Sequence, residues 1–155
     1  MKIKFIPFIS SLVAPFLVGG VGSFFTTPSL FPWYSSLNKP FFNPPNWIFG
    51  PVWTTLYLLM GVSLYLYWTG KGKNKKTGYN FFSIQLFLNL LWSVFFFGFK
   101  SPILALFIIL LMLMFIVLTM REFRKISQTS FYLLVPYISW VSFATILNAS
   151  IIILN

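Results

Sequence analysis

The side chains in this chain that could do chemistry are indoles, phenols and amides set at helical spacing. Gln85, Asn89 and Trp92 fall at i, i+4 and i+7. Tyr137, Trp140, Ala144 and Asn148 follow at steps of three, four and four, and Trp53 and Tyr57 stand one turn apart. Each set lies on one face of a helix. Conventional acid–base chemistry is poorly supported. The 155 residues include no His and no Cys, and Glu122 is the one acidic residue. The usual general bases, thiolate nucleophiles, carboxylate pairs and zinc ligands are therefore missing. No metal site and no cofactor is expected, and hydrolase or metalloenzyme chemistry is poorly supported. Indoles and amides can instead hold a flat conjugated molecule, the rings stacking on its faces and the amides fixing its polar edge. Without His or Cys to ligate haem iron, only weaker ligands such as Tyr or Met remain, so a metal-free tetrapyrrole fits better.

The elements that must position these residues belong in a membrane. Hydrophobic residues make up 58% of the chain and charged ones 8%, against about 25% charged in an ordinary soluble domain. Crossing roughly 30 Å of hydrocarbon takes about 20 apolar residues. Five segments qualify, at residues 5–25, 47–68, 80–99, 102–120 and 131–154, and none contains Asp, Glu, Lys, Arg or His. Backbone polar groups in lipid must pair within their own segment, and these runs lack the alternation of barrel strands. The sequence thus predicts an all-α membrane protein, a single domain (1–155) built as a bundle of five transmembrane helices. The first segment, with Lys2 and Lys4 before its apolar run, has the look of a signal peptide, and Gly20–Val21–Gly22 that of a weak cleavage site. It is read as a retained first helix, with Pro7 and Pro15 as candidate kinks.

Cations set the orientation. Lys2, Lys4, Lys71, Lys73, Lys75, Lys76, Arg121, Arg124 and Lys125 fall on one side of the predicted spans, against Lys39 and Lys100 on the other. That bias predicts an inner N-terminus and an outer C-terminus. The same clustering between apolar runs argues against a nucleic-acid partner, which needs a basic face on a soluble scaffold. The long connection, residues 26–46, falls outside. It carries Pro28, Pro32, Pro40, Pro44 and Pro45 among Phe31, Trp33, Tyr34, Phe41 and Phe42, a composition suited to a stiff lid with aromatic rings to bury. Counting 1.5 Å per residue puts Trp53 roughly 9 Å, Trp92 roughly 10 Å, Asn89 and Ala144 roughly 15 Å, Asn148 roughly 9 Å and Trp140 roughly 20 Å below the outer edge. Three helices then present indoles and amides to one region beneath the lid. Amides also glue membrane helices together, and Trp also marks interfaces, but agreement in depth across three helices favours a pocket. Gly19 and Ser23 form a small-xxx-small pair of the kind that brings two helices close.

The same residues carry a family resemblance. Trp33–Tyr34, Leu37–Asn38–Lys39–Pro40, Pro44–Pro45 with Trp47, Gly50–Pro51–Val52–Trp53, Gln85 through Asn89 to Trp92, Pro136–Tyr137, Trp140 to Thr145, and Leu147–Asn148 occur in that order. Together they resemble the translocator protein family, also called tryptophan-rich sensory proteins or peripheral benzodiazepine receptors. The resemblance implies a five-helix bundle, often a homodimer, whose cavity is closed by the first loop and binds porphyrins and similar flat lipophilic ligands. It implies that Tyr34, Trp53, Asn89, Trp140 and Ala144 line that cavity. Spacing and the lid add Pro44, Pro45, Tyr57, Gln85, Trp92, Tyr137 and Asn148 to the candidate ligand-binding set. Some members are associated with light-dependent porphyrin breakdown, which makes Trp53 and Trp140 the candidates for catalysis. One departure is the Tyr-then-Arg sterol pattern of animal members, absent from residues 147–155 and matched only loosely by Leu64, Tyr67 and Lys71. Three functions follow as expectations. The first is a non-enzymatic receptor or translocator-type binder of porphyrins; the second an enzyme that photo-oxidises them; the third a facilitative transporter of tetrapyrroles or lipids. The expected location is a bacterial plasma membrane.

Overall fold

The computed structural model describes residues 4–72 and 74–155. Two cations of the orientation argument, Lys2 and Lys73, lie outside the described residues. The chain runs as α1 (Phe5–Ser29), α2 (Asn46–Thr69), α3 (Lys76–Ser93), α4 (Pro102–Arg124), α5 (Gln128–Leu133) and α6 (Val135–Leu154), with no strand among the described residues. Wider π-helical turns extend α1 through Leu30–Tyr34 and α3 through Val94–Gly98. Together α5 and α6 make one crossing, so five stretches are long and apolar enough to span a membrane.

The helices outrun the predicted spans because hydropathy marks the hydrocarbon core and helices continue past it. Arg121 and Arg124 sit in the last turn of α4, where cations complement the carbonyl end. The largest difference is at α1. It was expected to end near residue 25, yet it passes Thr26, Thr27 and Pro28 and runs on into the π turn. The Thr26 hydroxyl is satisfied by Gly22 O at 3.1 Å, and the buried Ser29 hydroxyl donates to Phe97 O at 2.8 Å, docking the end of α1 on α3. The connection expected at 26–46 thus shrinks to residues 35–45. Helix continues through Pro7 and Pro15; the backbone leaves helical geometry at Phe31 (φ −136°, ψ 130°). The last crossing breaks at Leu134, two residues before Pro136, which has no N–H to continue the ladder.

Sequential neighbours pack as pairs, α1 on α2 and α3 on α4, and α6 closes against α4. Helix α4 buries Ala105, Ile109, Met112, Ile116, Met120 and Phe123, one stripe at helical spacing. Its other side exposes Ile103, Leu104, Phe107, Leu110, Leu111 and Met114, a face that water would penalise and lipid accepts. Glycine sets the approach of α1 to α2: a Cβ on Gly61 would stand 2.9 Å from Leu12 Cα and 3.0 Å from Ser11 O. At the cationic end the Lys75 ammonium donates to Trp68 O at 2.7 Å and Gly70 O at 2.6 Å, capping the carbonyls of α2. Burial, and then the nearby Lys4 charge, holds that ammonium below the usual lysine range.

Candidate ligand cavity

Between α1, α2, α3 and α6, at the end carrying residues 35–45, the bundle encloses a cavity of about 610 Å³. That lies within the roughly 300–1,000 Å³ of small-molecule sites. Its indole walls are Trp53, Trp92 and Trp140. Trp53 stacks on Tyr57 (centroids 5.5 Å apart, 28° between planes), and Trp92 stacks on Phe96 (5.1 Å, 24°). Trp140 stands edge-on to Phe49 at 5.9 Å. Among the described residues the lining includes no Asp, Glu, Lys or Arg.

Hydrogen bonds fix some of these side chains and leave others free. The Trp92 indole N–H donates to Asn148 Oδ1 at 3.1 Å, and Asn148 Nδ2 donates to Pro102 O at 2.8 Å. The indole N–H groups of Trp53 and Trp140 find no acceptor among the described residues. Beneath the cavity runs a buried polar chain. The Tyr57 hydroxyl donates to Asn89 Oδ1 (2.9 Å), Asn89 Nδ2 to the Tyr137 hydroxyl (3.3 Å), and that hydroxyl to Gln85 Oε1 (2.8 Å). Each member satisfies a group that lipid or packed side chains would leave unpaired.

Of the candidate residues, Tyr34, Trp53, Tyr57, Trp92, Trp140, Ala144 and Asn148 come together on the cavity wall. Gln85, Asn89 and Tyr137 do not line it; they lie one layer deeper, in the polar chain, because the Tyr57 ring forms the floor above them. Pro44 and Pro45 do not line it either. The longer α1 brings Leu30 and Tyr34 over the cavity, and Asn46 and Trp47 of α2 complete that rim. Lys39, which a loop position would leave solvated, folds back: its ammonium donates to Ser35 O and Leu37 O and sits 4.9 Å over the Tyr34 ring. Sequence reasoning missed the α1 wall, Phe16, Gly19, Gly22, Ser23 and Thr26 among it. The small-residue run Gly19–Ser23 was the available signal. Its small-xxx-small spacing predicts a contact between two helices, and Gly19 does pack closely on a helix, the neighbouring α2 of the same chain, where its Cβ would fall 2.4 Å from the Tyr57 ring.

Residues 11–154 match the model of the TspO/MBR family. The tryptophan-rich protein TspO of Chlorobaculum tepidum is 49% identical over 140 residues, 89% of each chain. That of Archaeoglobus fulgidus is 43% identical over 148 residues, 95% of each chain. The translocator protein of Bos taurus is 35% identical over 151 residues, 96% of this chain and 89% of the relative. With a match across nearly its whole length and five membrane-spanning stretches, the chain is an integral membrane protein belonging to the TspO/MBR family.

Proposed function

We propose that the protein is a receptor or translocator-type binder of porphyrins and similar flat, lipophilic ligands, held in the cavity between α1, α2, α3 and α6. The carrying observation is the pairing of Trp53 and Trp140 on one uncharged cavity, each with an unpartnered indole N–H. Two faces then stack on a planar ring system and two donors meet an acceptor on its edge. A titration of the purified protein with protoporphyrin, read by tryptophan quenching, tests this. Saturable quenching at one ligand per chain is expected, weakened a few-fold by Trp53→Phe or Trp140→Phe because phenyl keeps much of the stacking area but loses the donor. Non-saturating quenching, equal in the variants, would overturn it.

The same pairing supports a second reading, light-driven oxidation of the bound macrocycle. It needs no acid or base, only an oxidisable indole beside an excited ring. If it operates, Trp→Phe slows formation of a new absorbing product under illumination far more than it weakens binding. Equal losses in both leave the tryptophans as packing for a binding site.

The proposed setting is a bacterial plasma membrane with the N-terminus inside. Its support is charge: Lys4, Lys71, Lys75, Lys76, Arg121, Arg124 and Lys125 gather at one end of the bundle, opposite Lys39 and Lys100.

A further inference from the structure

Every cavity-lining residue that is also exposed belongs to α1 or α2: Phe16, Gly20, Ser23 and Thr27 on one, Asn46, Trp47, Gly50 and Thr54 on the other. On α1 they fall at i, i+4, i+7 and i+11; on α2, Trp47, Gly50 and Thr54 fall at i, i+3 and i+7. Each set is one stripe of its helix, and the two stripes face each other across a gap. Where α1 and α2 do touch, glycines bring them together, Gly61 against Leu12 and Gly19 against Tyr57. Beyond Gly19 they part. A Cβ on Gly20 or on Gly50 meets nothing within 4 Å. The result is a slot in the side of the bundle, roughly 10 Å tall from Gly20 to Thr27, with Phe16 and Tyr57 at its foot.

Between its ends, marked by Thr27 and Asn46, the slot's hydroxyls are turned onto their own helices. Ser23 Oγ donates to Gly20 O at 2.6 Å and Thr54 Oγ to Gly50 O at 2.9 Å, so both are satisfied within their own helices. A hydrocarbon-dissolved molecule passing them breaks no bond to the rim. The end of the bundle is fastened by contrast. Asn38 N–H donates to Asn155 Oδ1 (3.0 Å), Asn155 Nδ2 donates to Asn38 O (3.0 Å), and Asn38 Nδ2 donates to Leu154 O (3.2 Å). The Tyr34 hydroxyl donates to Asn43 Oδ1 at 3.1 Å, and Phe42 packs edge-on against Phe143 of α6. Residues 35–45 are thereby tied to the last turn of α6, while among the described residues the α1–α2 hydrogen bond, from Lys4 N–H to the Tyr65 hydroxyl at 3.1 Å, lies at the opposite end and none crosses the slot.

We propose that ligands enter and leave the cavity sideways, from the hydrocarbon of the bilayer through the α1–α2 slot, and that residues 35–45 act as a latched end wall. The ligand class is accordingly one already dissolved in the membrane, uncharged over the part that passes the slot. The inference rests on the binding reading above and adds the route.

Stopped-flow tryptophan quenching with protoporphyrin, on the full chain in liposomes, tests it. Gly20→Leu with Gly50→Leu grows side chains into the open space of the slot. Association and dissociation should slow together, each by about ten-fold, whereas loss of ligand contacts alone would raise the off-rate. Ser23→Phe with Thr54→Phe, on the same two stripes, should act alike and covers the case in which the leucine pair does not fold. Asn38→Ala with Asn155→Ala releases the latch and should leave both rates within about twofold of the unaltered protein. Slot variants exchanging at the original rate, or a released latch that speeds exchange, would overturn the route and favour entry from water past residues 35–45. An unaltered protein that takes up no protoporphyrin overturns the binding reading, and the route with it.

Discussion

The Asn148 amide accepts from the Trp92 indole and donates to the carbonyl of Pro102, so one side chain ties α6 to α3 and to the first turn of α4. Truncation to Ala strands a half-buried indole N–H and a carbonyl that Asn148 had served. A buried group left unpaired costs about 1–3 kcal/mol, and membrane interiors fall toward the low end because the unfolded chain in lipid also finds partners. Asn148→Ala should therefore lower stability by about 1 kcal/mol in detergent unfolding. It should also free the Trp92 ring, seen as a shift in tryptophan emission. Unchanged stability and emission would mean that the bond to Trp92 is not maintained in solution. The deeper chain differs in kind. Asn89 and Gln85 were legible as inward-facing amides, because amides in a hydrocarbon-crossing helix must find partners. Their place below the cavity was not legible, because it depends on how far the Tyr57 ring reaches, and ring reach follows from α1 packing rather than from spacing along α2 or α3.

At the scale of elements, α1 carries most of what the sequence concealed. Five apolar runs are easily seen, and the tryptophans and amides of α2, α3 and α6 announce their faces. From Gly19 to Thr27 the α1 wall is Gly, Ser and Thr, residues whose contribution is the room they leave, and room has no periodic signature. The end of α1 was hidden for a related reason: Ser29 is held by Phe97 O, a bond between residues far apart in the chain. The two adjacent glycines separate these effects. A methyl on Gly19 meets Tyr57 at 2.4 Å, and that ring is held from behind by Trp53 and by Asn89. Overpacking of this kind costs about 1–3 kcal/mol. Gly19→Ala should thus destabilise the protein by that amount and, on the proposed function, weaken porphyrin binding as Tyr57 shifts in the floor. Gly20→Ala meets nothing and removes only unfolded-state freedom, so stability should hold or rise by up to about 1 kcal/mol. Thermal unfolding of the pair in one detergent checks both; equal effects would mean that α1 does not pack on Tyr57 as described.

At the scale of the whole molecule, apolar side chains cover the flanks and charge marks the ends. Phe5, Ile6, Leu17, Phe24, Phe107 and Ile153 are among the exposed hydrophobics, a coat that only lipid makes inexpensive. The one acid, Glu122 in the last turn of α4, pairs with the C-cap Lys125 and offsets a single charge at the cationic end, and acids weigh little in setting orientation. Seven described cations therefore stand at that end, and the other has Lys100 and a Lys39 whose ammonium is folded onto carbonyls and a ring. Positive charge in short loops resists transfer across the membrane, and here the loops on both sides are short, the condition under which the bias decides orientation. A reporter joined by a flexible linker after Asn155 should then be active only outside. The bias is also divisible. Changing Lys71, Lys75 and Lys76 to Gln while placing Lys at Ser35 and Ser36 nearly levels the two ends, and a mixture of orientations should appear. A reporter active only in the cytoplasm of the unaltered protein would reverse the orientation, and an unchanged orientation after levelling would show that the loop cations do not set it.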